Sequence, residues 1–156
     1  YPELADASLA DDAGRLGRNA LLLDEFICRE AEKGKIRPEQ FTLEPAKILL
    51  HGHCQQKAIS STSFTKKMLS IPVNYRVEEI PSGCCGMAGA FGYEKEHHEL
   101  SMKIGEMVLF PAVRAADKDT LIAAPGTSCR HQIEDGTGRE ALHPAEILYA
   151  ALKNDR

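Results

Sequence analysis

From Arg15 to Lys33, apolar side chains recur at Leu16, Ala20, Leu23, Ile27 and Ala31 with polar and charged residues between them. These spacings put the apolar positions on one stripe and predict an amphipathic helix. Lys33 suits the C-terminus of that helix and Gly34 its stop. Residues 1–13 are acidic and rich in small side chains, with no period, and read as a linker or loosely docked arm. The stretch 14–45 is then an N-terminal helical segment. After it the rhythm changes. Lys47–His51 is a short apolar run, expected as a buried strand, and a helix-compatible stretch follows from Gln55 to about Leu69. Tyr75–Ile80, bounded by Pro72 and Pro81, is a second strand. Glu94–Leu109 is a helix, with Leu100, Ile104 and Val108 on one face and acids in its first turn; Pro111 kinks or restarts it. A third strand over Thr120–Ala124 ends at Pro125-Gly126. Short helices near Cys129–Glu134 and Pro144–Leu152 complete the chain, with Pro144 at a first helical position. Strands alternating with helices predict an α/β domain over residues 46–156, a small parallel sheet with flanking helices.

Composition narrows the classes. With 43% hydrophobic and 27% charged residues over 156 positions, the chain is an ordinary globular protein that folds without disulfide staples. Nineteen basic against 23 acidic side chains leave a net charge of −4, which withdraws electrostatic support for nucleic-acid binding. No apolar run approaches the ~18 residues of a membrane span, and no signal peptide is visible. The expected setting is cytoplasmic, with attachment to the inner membrane only peripheral and through partners. A first residue of Tyr1 rather than Met suggests an excised piece of a longer chain.

The cysteines carry the chemistry. There are five, Cys28, Cys54, Cys84, Cys85 and Cys129, an odd number that argues against a secreted disulfide framework. Cys28 sits beside the apolar stripe of the N-terminal helix and reads as a small buried hydrophobe. The other four each follow one of the three expected strands by three to five residues. In an open parallel sheet ligands bind beyond the carboxyl ends of the strands, so these four thiols are expected on one edge. Helix N-termini begin at the same edge, and their partial positive charge favours thiolates. Gly83-Cys84-Cys85-Gly86-Met87-Ala88-Gly89 is a loop whose glycines let backbone N–H groups approach a buried anion. No Gly-Lys-Ser/Thr follows, so it is not a phosphate loop. Among the histidines, His53 and His131 are the better candidates to ligate a metal or donate to a sulfur. For His51 a satisfied histidine at a strand end is as good a reading. His97 and His98 are expected in solvent, and His143 in a capping or supporting role. Neither a Ser/His/Asp arrangement nor a convincing Cys/His nucleophile pair is present.

The combination of His51-Gly52-His53-Cys54-Gln55-Gln56-Lys57-Ala58, Gly83-Cys84-Cys85-Gly86-Met87-Ala88-Gly89 and Gly126-Thr127-Ser128-Cys129-Arg130-His131-Gln132-Ile133 resembles the cysteine-rich CCG domain found in heterodisulfide reductase and in the iron–sulfur subunits of glycolate oxidase. The variant is similar to the one at the C-terminus of fused FAD-linked oxidases, and the resemblance covers about two-thirds of the chain. It implies that Cys54, Cys84, Cys85 and Cys129 hold an iron–sulfur cluster, with Gly83, Gly86 and Gly89 giving close backbone approach. Electrons would pass from FAD on a preceding domain outside this chain to an acceptor, and the donor substrate would be a 2-hydroxy acid. This fragment alone would be inactive. The family motif closes with Cys-x-x-Cys, and Gln132 stands where the last cysteine belongs. Four thiolates suffice for a 4Fe–4S cluster, but not for the family's five-cysteine arrangement. Thiolates joined by His53 or His131 would instead hold zinc in a structural or docking module. A thiol redox protein is a third reading, weakened by the missing Cys-x-x-Cys at a helix start.

Overall fold

The computed structural model describes residues 2–153. Tyr1 and residues 154–156, the outer ends of the expected arm and of the expected cysteine-rich domain, lie outside the described residues. The chain divides into two compact units, Tyr1–Ile36 and Arg37–Arg156.

In the first unit, short 3-10 turns at Pro2–Leu4 and Ala7–Leu9 lead into helices α1 (Ala10–Asn19) and α2 (Leu23–Glu32). The one helix expected from Arg15 to Lys33 is therefore two. The backbone becomes extended at Ala20 (φ −84°, ψ 100°). Asn19 donates its side-chain amide to the Arg15 carbonyl at 2.8 Å, closing α1. Asp24 and Glu25 then place negative charge where the unpaired N–H groups of a new helix favour it. Helix α1 begins inside the stretch expected as an arm, with Asp11 and Asp12 in its first turn for the same reason. Cys28 is buried on α2.

The second unit is α/β. Strand β1 (Ala46–Leu50) lies between β2 (Tyr75–Glu79) and β3 (Leu121–Ala123) in a three-stranded parallel sheet. Ile48 sits opposite Val77 on one side and Leu121 on the other. The middle strand is the most apolar because it is covered on both faces. Ile48 and Leu50 are fully buried, while Leu49, on the opposite face by strand alternation, packs on the cluster of Ile80, Met87, Leu109, Phe110, Ile122 and Ile133. Edge strand β2 alternates exposed Arg76 and Glu78 with partly buried neighbours.

Helices α3 (Cys54–Ile59) and α4 (Thr62–Leu69) replace the single helix expected over this region. The break falls at Ser60-Ser61, where the Ser61 hydroxyl accepts the Ser63 N–H at 3.1 Å and starts a fresh helix. Helices α5 (Lys95–Met107) and α6 (Leu109–Ala115) are divided at Val108, so Pro111 lies in the first turn of α6, where its missing N–H has no partner to lose. Helix α7 (Thr127–Thr137) ends on Gly138 in the left-handed region, at φ 68°. Helix α8 (Pro144–Ala150) is capped by His143, whose Nδ1 accepts the Ala145 N–H at 3.1 Å. Helices α5, α6 and α7 pack on one another, and α4 packs on α8. All three strands end toward the loops that carry Cys54, Cys84, Cys85 and Cys129.

Candidate metal centre

Each thiol owes its place to a strand end. Cys54 is the first residue of α3, just beyond β1, and is exposed. Cys84 and Cys85 lie in the loop leaving β2, Cys84 half-buried and Cys85 buried. Cys129 is in the first turn of α7, beyond β3, and is buried. Sγ of Cys85 and Sγ of Cys129 stand 3.3 Å apart, a hydrogen bond between residues 44 positions distant in the chain. That hydrogen bond draws the Cys85 thiol down to about 4 against the opposing effect of burial; His51 and the Met87 N–H pull the same way. Cys129 is pushed well above the usual thiol range, first by Cys85 and then by burial, with Cys54 and Cys84 adding to the effect. Partial desolvation raises Cys54, and neighbouring Cys84 raises it further. Cys85 and Cys129 thus form a close pair, with Cys54 and Cys84 near enough for their charge to act on Cys129.

The loop around the Cys-Cys pair is held by its backbone. Gly86 has φ 105°, and a Cβ there would lie 2.1 Å from the Ser101 carbonyl of α5, so only glycine lets the loop rest on that helix. Its N–H donates to Cys84 Sγ at 3.3 Å, an N–H···S bond of the kind expected from a glycine loop. Gly83 and Gly89 have open space where a side chain would project. Gln132 is buried on α7, and its Nε2 donates to the Cys85 carbonyl at 3.1 Å, the Ser101 carbonyl at 3.1 Å and Ser101 Oγ at 2.9 Å. It is a clamp from α7 onto the cysteine loop and α5.

The histidines divide sharply. His53 is half-buried at the start of α3; a Cβ on Gly126 would meet His53 Nε2 and Cys129 Sγ each at 3.0 Å, so this ring borders the thiols. His131 is exposed and its Nδ1 is 2.7 Å from the Tyr93 hydroxyl. His97 stacks on Phe91 with ring centroids 4.0 Å apart. His51, the residue after β1, is fully buried, and one of its ring nitrogens lies with Sγ of Cys85 and of Cys129 in a group whose atoms are all within 4.8 Å of one another. Nδ1 of His51 is 2.8 Å from Ser82 Oγ. Sequence reasoning ranked His51 below His53 and His131. The signal it carried was its place at the end of the central strand's apolar run, where burial is deepest. A cleft of about 200 Å³ opens beside Cys84, walled by Ile104, Met107, Val108 and Leu109.

No family model matches this sequence. No solved structure matches it significantly. Among curated proteins it is 29% identical, over 97% of its length, to one subunit of the anaerobic glycerol-3-phosphate dehydrogenase of Escherichia coli (strain K12), and it covers 36% of that subunit. Over 98% of its length it is 26% identical to D-2-hydroxyglutarate dehydrogenase of the same organism, covering 14% of that protein. It is also 30% identical over 72% of its length to D-2-hydroxyglutarate dehydrogenase of Pseudomonas putida, covering 11%. The chain thus spans about a third or less of these relatives. Its relatives are oxidoreductases, and it brings to their likeness a cluster of cysteines and a histidine suited to a metal.

Proposed function

We propose that this chain is the iron–sulfur electron-transfer part of an FAD-linked oxidase or dehydrogenase acting on a 2-hydroxy acid. FAD and the substrate pocket belong to a partner domain, on the same or another chain, and residues 46–156 are the CCG-type unit that holds the metal. The observation that carries the reading is that Cys54, Cys84, Cys85 and Cys129 all lie just beyond the ends of the three parallel strands, with the Sγ atoms of Cys85 and Cys129 standing 3.3 Å apart. A cluster supplies a one-electron store between a two-electron flavin and its acceptor. The chain's own residues prepare the place for it. Cys54, Cys84, Cys85 and Cys129 offer the four thiolates a 4Fe–4S cluster takes. The Gly86 N–H lowers the negative charge on Cys84 through its bond to sulfur. Gln132 fixes the loop backbone without adding a thiol. Cys85 and Cys129, from two different loops, would each hold the cluster through one thiolate. No helix of the described residues is long and apolar enough to cross a membrane.

Iron, acid-labile sulfide and zinc per chain, measured on protein purified without oxygen together with its visible spectrum, test this. Iron and sulfide in near-equal amounts with a broad brown absorption support the cluster; colourless protein with stoichiometric zinc after anaerobic reconstitution overturns it. One observation favours the zinc reading as a second choice. Two thiolates on one tetrahedral ion stand about 3.7 Å apart, given a zinc–sulfur bond of about 2.3 Å. The 3.3 Å between Cys85 and Cys129 is close to that spacing.

A further inference from the structure

His51 has no exposed surface, and its Nε2 has no hydrogen-bond partner. Buried polar atoms of native proteins are almost always paired, so an orphan nitrogen in a core calls for an occupant. Its surroundings identify the chemistry. The histidine backbone is tied to the sheet by its N–H, which donates to the Ala123 carbonyl at 2.8 Å. The ring's other nitrogen is taken by Ser82 Oγ at 2.8 Å, on a buried residue two positions before Cys84. The sulfurs of Cys85 and Cys129 complete the compact group. A ligating histidine has this arrangement: one nitrogen held by a hydroxyl, carbonyl or carboxylate, the other turned to the ion. The contact between Nδ1 and Ser82 admits either tautomer, and the one in which Nδ1–H donates to Ser82 leaves the Nε2 lone pair for a metal.

We propose that His51 is a metal ligand through Nε2, forming with Cys85 and Cys129 the buried half of a mixed histidine–thiolate site for a thiophilic divalent ion, and that Ser82 is the residue that holds its ring in place through Nδ1. This rests on the reading of the thiols as metal-binding, but not on the metal being an iron–sulfur cluster. It makes the missing cysteine at position 132 unnecessary: the additional donor comes from the end of β1, and Gln132 is occupied elsewhere.

The test uses the full reduced chain loaded anaerobically with Zn²⁺ alone, and X-ray absorption at the zinc edge. The expected result is a sulfur-rich environment with one imidazole, whose outer ring atoms give their own scattering. His53→Gln keeps that imidazole signal and His51→Gln loses it. Should His51→Gln fail to fold, Ser82→Ala keeps the imidazole without its Nδ1 partner, and competition with a chromophoric chelator reads a loss of about 10- to 100-fold in zinc affinity. An all-sulfur environment in the unaltered protein overturns the proposal, as does a signal that follows His53, or unchanged affinity in Ser82→Ala. Failure of the reduced chain to bind zinc overturns it together with the metal-binding reading. Imidazole-bound zinc in a chain that takes up no iron and sulfide on reconstitution upholds His51 while removing the electron-transfer function.

Discussion

At the scale of single residues, Cys85 and Gln132 divide the work of the site. Cys85 is the sulfur that carries the charge of the thiol pair, because Cys129, His51 and the Met87 amide all stabilise it. Cys85→Ser removes that thiolate and is expected to abolish loading by iron and sulfide or by zinc, read as metal per chain on protein with unchanged circular dichroism. Full loading of the variant would refute the assignment. Gln132 acts through the backbone. Gln132→Leu keeps the volume roughly constant but strands the Cys85 carbonyl in the core. Each unsatisfied group costs about 1–3 kcal/mol, so urea unfolding is expected to show a loss within or just above that range. A loss below ~0.5 kcal/mol would mean that water replaces the clamp. None of this could be read from the residue itself: Gln132 in sequence was only a departure from a motif, and the acceptors it serves come from two other elements.

At the scale of elements, the packing of α5, α6 and α7 decides where the cysteine loop rests. Phe110 is fully buried on α6, and a Cβ placed on either Gly105 of α5 or Gly136 of α7 would come within 2.3 Å of its ring. Arg114 binds the same three helices, donating to Glu106 at 2.6 and 2.9 Å and to the Gly136 carbonyl at 2.7 Å. Gly105→Ala is expected to destabilise the second unit by about 1–3 kcal/mol through overpacking, and Phe110→Ala by about 3–5 kcal/mol through the opposite fault. Combining Gly105→Ala with Phe110→Leu is expected to recover part of the loss, since the flat ring is what the new methyl group meets. Denaturant midpoints of these variants and of Phe110→Leu alone check this; additive losses in the double variant would show that the glycine is not there for the ring. Element types and order were legible from periodicity, but three breaks were not. Ala20, Ser60-Ser61 and Val108 interrupt apolar patterns that continue across them, because a stripe reports which face is buried and not whether the backbone between two turns stays helical.

At the scale of the whole molecule, residues 37–156 make one compact unit that contains His51, Cys54, Cys84, Cys85 and Cys129. That stretch alone is expected to fold and to take up the same metal content as the full chain. Residues 1–36 alone are expected to be largely unstructured by circular dichroism, because their two helices are ten residues each and helices that short are marginal in water. Removal of metal by a chelator is expected to lower the melting temperature of both the full chain and the 37–156 piece; binding at a hundred times Kd contributes about 2.7 kcal/mol. An unchanged melting temperature would mean the folded and unfolded chains hold the ion equally well.

What the amino-acid sequence determined by itself was the alternation of strands and helices, and with it the edge on which Cys54, Cys84, Cys85 and Cys129 meet. Short-range periodicity and the rule that parallel strands all end on one side are enough for that. The tertiary structure alone decided which of the candidate groups face one another. It put His51 against Cys85 and Cys129, turned His131 to Tyr93, and gave Gln132 to the backbone of the cysteine loop. Those contacts join residues 34 to 78 positions apart. Their geometry depends on strand register and helix packing rather than on any local preference of the residues that make them.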